Sequence, residues 1–208
     1  MMKQNLVVGI IDYKINNILS VCNGVQKLGY KAKIIQNNKD KGDYDYIILP
    51  GVGSFGAAMN NLNSTGLSDF IRKKALVQRI PFLGICLGMQ LMADDSIELN
   101  YNKGLSLIEG NILKLNTKFR IPHIGWNNVI LGKKSHLFKG ISDNSNFYFV
   151  HSYYYNCKQK YIIGKVDYGN KFTAAIQNNN IFGVQFHPER SQRVGLELLK
   201  NFLEYKNK

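Results

Sequence analysis

Pro81-Phe82-Leu83-Gly84-Ile85-Cys86-Leu87-Gly88-Met89-Gln90-Leu91 is the stretch around which the chain is organised. The apolar run from Ile80 to Ile85 reads as a buried strand, and Leu87, Leu91 and Met92 follow it at helical spacing. Between them lies Gly84-Ile85-Cys86-Leu87-Gly88, the cysteine form of a nucleophile elbow. Such a sharp strand-to-helix turn holds a reactive side chain clear of a sheet. The flanking glycines suit a turn that brings two backbones too close for a Cβ. Cys86 would then sit at a helix N-terminus, where unpaired N–H groups and the helix dipole favour a thiolate. A small cysteine simply buried at a strand–helix junction explains this segment alone about equally well, so the rest of the chain has to decide.

Working outward, Leu6 to Ile11 reads as a first buried strand and Asn17 to Leu28 as a helix with Ile18, Val21, Cys22, Val25 and Leu28 inward. Gly29 stops that helix. Lys33-Ile34-Ile35 and Tyr46 to Leu49 are further strands, and helices are expected from Phe55 to Asn63 and from Leu67 to Val77. This order predicts an α/β fold, a mostly parallel mixed sheet with helices on both faces. In such sheets ligands bind beyond the carboxyl ends of the strands. The loop Pro50-Gly51-Val52-Gly53 should therefore face Cys86 across one crevice.

From about Ser106 the runs become short and strand-like: Leu107 to Leu115, Asn128 to Leu131, Phe147 to Val150, Tyr161 to Val166 and Phe172 to Ile176. This β-rich second half is either a subdomain or more of the same sheet. With no linker or repeat, residues 1–208 read as one domain. A closing helix is expected from Ser191 to Tyr205, with Ser191 as N-cap and Leu196, Leu199 and Phe202 inward.

The formal charge is +13, from 27 basic against 14 acidic residues. The lysines are scattered, Arg72-Lys73-Lys74 and Lys133-Lys134 being the densest groups, so a nucleic-acid surface is not expected. No apolar run approaches the roughly 18 residues of a membrane span. Three dispersed cysteines argue against a disulfide framework and for a reducing cytoplasm.

The last strand, Ile181 to Phe186, runs into His187-Pro188-Glu189. Residues two apart on a strand point the same way, so His187 and Glu189 can form a base and its orienter, and Cys86 at another strand end completes a Cys–His–Glu triad. His136 sits in a polar loop. His123 and His151 fall in aromatic-rich segments, where structural hydrogen bonding is the better reading.

Five blocks then resemble one family along nearly the whole chain: Leu49-Pro50-Gly51-Val52-Gly53, Leu83 to Gln90, Pro122-His123-Ile124-Gly125-Trp126-Asn127, Tyr148 to Tyr154, and Phe182 to Glu189. They resemble the class I (triad) glutamine amidotransferases, of flavodoxin-like fold. Within that class they are similar to the HisH glutaminase subunits of imidazole glycerol phosphate synthases. The resemblance implies that Cys86 attacks the side-chain carbonyl of glutamine, with Leu87 N–H and Val52 N–H, the latter after a peptide flip, as the oxyanion hole. It implies that Gly51, Gly53, Gln90, Glu98, Ser152 and Tyr153 hold glutamine. Ammonia would pass to a HisF-type cyclase in a heterodimer, to make imidazole glycerol phosphate for histidine synthesis. Trp126, flanked by Asn127, Asn17 and Arg190, would anchor that partner. No metal or cofactor is implied.

The family's first loop usually reads Asp-Tyr-Gly-x-Gly-Asn, whereas this chain has Asp12-Tyr13-Lys14-Ile15-Asn16-Asn17. Lys14 and Asn16 thus replace glycines close to the expected interface. That departure keeps open a HisH-like paralogue supplying ammonia for amidination of a surface-polysaccharide sugar. A catalytically silent regulatory protein on the same fold is the rival from another class.

Overall fold

The computed structural model describes residues 6–14, 17–40 and 42–206. The chain enters through β1 (Val7–Ile11), crosses by α1 (Ile18–Lys27) to β2 (Lys31–Ile35), and returns to β3 (Tyr46–Gly51). Helices α2 (Phe55–Ser64) and α3 (Leu67–Arg72), the latter extended by a π-helical turn at Lys73–Val77, lead to β4 (Phe82–Cys86). One turn of helix, α4 (Leu87–Gln90), follows. Then come β5 (Asp95–Ser96), β6 (Asn102–Lys103), β7 (Asn111–Lys114), β8 (His123–Leu131), β9 (Ser145–His151) and β10 (Tyr153–Asn156). β11 (Ile162–Asp167), β12 (Lys171–Asn178), β13 (Ile181–Val184) and α5 (Gln192–Leu203) complete the chain.

The main sheet has nine strands in the order β2-β1-β3-β4-β13-β12-β11-β8-β9. The five from β2 to β13 run parallel to one another, and the remainder pair antiparallel. The second half thus mostly continues the first sheet, and only β10-β7-β5-β6 form a separate small one. Both faces are covered. Ile48 of β3 packs with Val21 and Val25 of α1 and Leu198 and Phe202 of α5. Its neighbours Ile47 and Leu49 point the other way, to Phe55 and Leu62 of α2 and Ile71 of α3, as strand alternation requires.

Two sequence expectations need correction. The run Leu107 to Leu115 is a strand only at Asn111–Lys114, because Leu107 and Ile108 are buried in irregular chain whose N–H groups reach Met92 O. On α5, Leu196 is only half-buried, while Leu198 and Leu203 join Leu199 and Phe202 in the core.

The antiparallel half curls until its edge strand β9 backs onto the ends of β4 and β13 in the middle of the whole sheet. Tyr148 O of β9 accepts from His187 N at 2.9 Å, just past the end of β13. Val150 O of β9 lies 3.8 Å from Cys86 Sγ at the end of β4. That closure makes a walled crevice where an open sheet would have had a flat rim.

Candidate active site

Cys86 occupies the elbow at φ +54°, ψ −112°. A non-glycine residue held there stores on the order of 1–3 kcal/mol, supplied by the packing around it. The packing is visible at the flanking glycines. A Cβ on Gly84 would meet Gly88 O at 2.6 Å, and one on Gly88 would run into Leu49 O of β3. The helix beyond the elbow, however, is a single turn. Leu91, Met92 and Ala93 are fully buried in turns, which is why their spacing mimicked a longer helix. One turn carries little dipole, so the charge partner of the cysteine has to come from elsewhere.

It comes from His187. Its Nδ1 is 2.8 Å from Glu189 Oε1, and both side chains are almost fully enclosed. Burial alone would lower the His187 pKa. The Cys86 sulfur, through its charge and a contact to the imidazole, and then Glu189 more than offset that and push it up to about 10. The imidazole therefore carries a proton at neutral pH. Nε2 lies within electrostatic reach of Cys86, but no hydrogen bond of ordinary geometry is made there. Glu189 Oε2 is likewise buried without a partner among the described residues. Ser191 sits at the start of α5, yet its hydroxyl does not cap that helix. It donates to His187 O at 2.6 Å and accepts from Tyr148 N at 3.0 Å, clamping the triad loop to β9.

A cavity of about 310 Å³ opens onto the sulfur, at the small end of ligand pockets (about 300–1,000 Å³). Val52, Gly53, Cys86, Leu87, Gln90 and Glu98 form part of its wall, with Ser152, Tyr153 and His187 opposite. Gly51 lies behind it, paired with Cys86 across β3 and β4. Glu98 Oε2 accepts from Phe55 N at 2.7 Å, capping α2 at the cavity edge. The amide nitrogen of Gln90 is 3.0 Å from Tyr153 O and 2.9 Å from Gln185 Oε1. Ser152 O accepts from Leu115 N at 2.9 Å. The carbonyls of this segment thus face the protein. Among the described residues no lysine or arginine lines the cavity, so their positive charge is not focused there.

Sequence reasoning missed Gln185, which is fully buried and directs Nε2 at Cys86 Sγ from 3.8 Å. Gln185 lies in a bend just past β13, so strand alternation carried no signal for it. His151 was read as structural and does make structural bonds, but it also lines the cavity, as do Pro122 and Val150.

The outer residues divide. Trp126 is 48% exposed and stands edge-on to Tyr148 at 6.0 Å, beside the exposed Ile124, so it is not core. Asn127, its strand neighbour, turns to the opposite face and bonds His123 and Asp167 O, so the two do not belong to one docking face. Arg190 is exposed, and Asn17 Oδ1 accepts from Ser20 Oγ at 3.1 Å. Lys14 adopts φ +72°, a left-handed conformation that costs a side chain about 1–2 kcal/mol and explains a preference for glycine there. Asn16 lies outside the described residues.

The family model of class-I glutamine amidotransferases matches residues 9–205. The chain is 44% identical over 198 residues to "Imidazole glycerol phosphate synthase subunit HisH 1" of Campylobacter jejuni, covering 94% of this chain and 98% of that protein. It is 46% identical over 198 residues to the HisH subunit of Methanocaldococcus jannaschii, covering 95% and 99%. Among solved structures it resembles PurLQS from Thermotoga maritima (TM-score 0.76, 19% identity, 96% and 98% covered) and a glutamine amidotransferase from the same organism (TM-score 0.70, 15% identity, 96% of each chain).

Proposed function

The chain belongs to the class-I glutamine amidotransferase family, and we propose that it is the glutaminase subunit of an imidazole glycerol phosphate synthase, with Cys86, His187 and Glu189 as its catalytic triad. The observation that carries this reading is the protonated His187 held between a buried carboxylate and the strained elbow cysteine, at the mouth of a cavity of amino-acid size. The sulfur attacks the side-chain carbonyl carbon of glutamine. The oxyanion that forms takes hydrogen bonds from Leu87 N–H and, after reorientation of the loop, Val52 N–H. Loss of one such donor costs on the order of 10²–10³ in turnover. The His187 imidazolium gives its proton to the departing ammonia, leaving a γ-glutamyl thioester. Neutral His187 then takes a proton from water as the water attacks the thioester, and glutamate leaves with the thiolate restored. Glu189 holds the ring and steadies its charge. Gln90 has its amide nitrogen committed, so it offers Oε1 to the ammonium end of the substrate, and Glu98 reinforces it.

Ammonia passes to a HisF-type cyclase docked over the cavity mouth, with exposed Trp126 as an anchor of the kind that dominates interfaces. No described helix is long and apolar enough to cross a membrane. The test is glutamine hydrolysis by the chain mixed with a HisF-type cyclase, with and without the cyclase's ribotide substrate. Strong stimulation by the ribotide is expected. Cys86→Ala should abolish hydrolysis and glutamine-dependent synthesis while ammonia-dependent synthesis survives. Hydrolysis in that variant would remove Cys86 as nucleophile. Trp126→Ala should weaken cyclase binding about tenfold or more in titration calorimetry, without unfolding the chain. The departure at Lys14, in the loop near the expected interface, leaves one second reading, a paralogue serving sugar amidination. Basal hydrolysis with neither complex nor stimulation would select it.

A further inference from the structure

A chain of hydrogen bonds runs from the outer sheet to the cysteine sulfur, and its direction is fixed at every link. Tyr153 O, a carbonyl, can only accept, so His151 Nδ1 at 2.8 Å carries the hydrogen. A neutral imidazole has one hydrogen, which leaves His151 Nε2 as an acceptor. His123 Nδ1, 3.0 Å away, must therefore donate to it. His123 Nε2 is then an acceptor in turn, and Asn127 Nδ2 at 3.2 Å must supply the hydrogen. The same Nδ2 donates to Asp167 O at 2.9 Å, while Asn127 Oδ1 accepts from Asn128 N at 2.8 Å, so the amide cannot be reversed. Neutrality of both rings follows from burial, which pulls His123 down to about 4 and His151 to about 3.

At the inner end, Tyr153 O also accepts from Gln90 Nε2, which fixes the amide orientation of Gln90. Gln90 Nε2 reaches Gln185 Oε1 as well, so Gln185 has its own Nε2 left to point at Cys86 Sγ. Gly125, at φ +134°, lies between His123 and Asn127 on β8.

We propose that Asn127, His123 and His151 are positioning residues for glutamine hydrolysis: they hold the Tyr153 carbonyl where it accepts from Gln90 Nε2, which keeps Gln90 Oε1 turned to the substrate. This rests on the glutaminase reading above, since it assigns the substrate side of Gln90. None of the three touches the reacting atoms. Their contribution is to hold that carbonyl within reach of Gln90 Nε2; with the carbonyl out of reach the Gln90 amide turns more freely, and a donor facing the substrate's ammonium weakens its binding.

Two measurements test this on the full chain, the second with the HisF-type cyclase present. In 15N-histidine-labelled protein at pH 7, His123 and His151 are expected as neutral Nδ1–H tautomers. An Nε2–H tautomer or an imidazolium at either would overturn the proposal. His123→Phe keeps a ring against Phe149 (4.9 Å) and Tyr168 (4.0 Å) but removes both nitrogens. It is expected to raise the KM for glutamine roughly fivefold, the worth of about one hydrogen bond, with kcat and ammonia-dependent synthesis nearly unchanged. Asn127→Ala, at the half-buried end, guards against a folding failure and should raise KM about two- to threefold. An unchanged KM in a folded variant of either kind sinks the positioning role, because packing alone would leave KM alone. Hydrolysis surviving in Cys86→Ala would instead sink the glutaminase reading itself.

Discussion

His187 and His151 lie against the same cavity, 3% and 5% exposed, and take opposite charge states. Burial pulls both toward the neutral form. For His187 that pull is outweighed by the Cys86 sulfur on one side and the Glu189 carboxylate on the other, and the proton stays on to about 10. His151 has only a carbonyl, Tyr153 O, to favour its charged form, while His123 and His187 oppose it, and its value falls to about 3. Residue type and burial are alike. The difference lies in whether the polar partners are anions or neutral dipoles. One partner set holds a charged imidazolium, and the other makes a rigid, uncharged link.

The largest test of that contrast removes the anion. Glu189→Gln keeps the shape and can still contact His187 Nδ1, but it takes away the charge that steadies the imidazolium. Glutamine turnover should fall by about 10²–10⁴, and the alkaline limb of the pH–rate profile should move to lower pH as His187 loses its proton more easily. A loss below about tenfold would mean that Glu189 only fills space.

A smaller effect isolates the sulfur. Its charge and its contact to the imidazole are the two strongest upward influences on His187. Cys86→Ser removes the sulfur and leaves Glu189 in place. NMR titration of His187 should then show its pKa clearly lowered from about 10, while the neutral state of His123 and His151 is untouched. A His187 titration identical to the parent's would show that the cysteine does not share the proton with it.

The elbow, the His187–Glu189 pair and the glycine loop were legible because each depends on a few residues in fixed local order. Gly84, Cys86 and Gly88 announce a close backbone crossing, and His187 and Glu189 stand close in sequence, though the strand expected up to Phe186 ends at Val184 and a 3-10 turn at Pro188–Arg190, not strand alternation, brings Glu189 to His187. Fold class was legible from the periodicity of the first half. What could not be read depends on the curl of the sheet. The pairing of His123 with His151 joins residues 28 apart on β8 and β9, and Gln185 meets Gln90 across 95 residues. The position of Asn127 on the face opposite Trp126 was readable from alternation alone, but the bond it makes there was not. The length of α4 was misjudged for a different reason: Leu91, Met92 and Ala93 are buried on every side, and an apolar run has the same spacing whether it is helix or turn.

The smallest effect separates the two histidine sets by stability. The sign follows from comparing folded and unfolded values. His123 and His151 are depressed to about 4 and about 3 when folded, against about 6.5 unfolded. As pH falls below about 6.5 the unfolded chain takes up protons there that the folded chain refuses, so stability drops on the acid side. His187 is raised, so its contribution is complete below about 6.5 and fades as pH climbs through about 10. Unfolded carboxylates titrate near 4, so between about pH 6.5 and 5.5 histidines dominate the slope. The urea midpoint of the parent should decline across that window, and His123→Phe, with one depressed histidine fewer, should decline less steeply. Equal slopes in the two proteins would mean that His123 accepts a proton inside the fold, and the contrast between a charged and an uncharged wall of the cavity would fail.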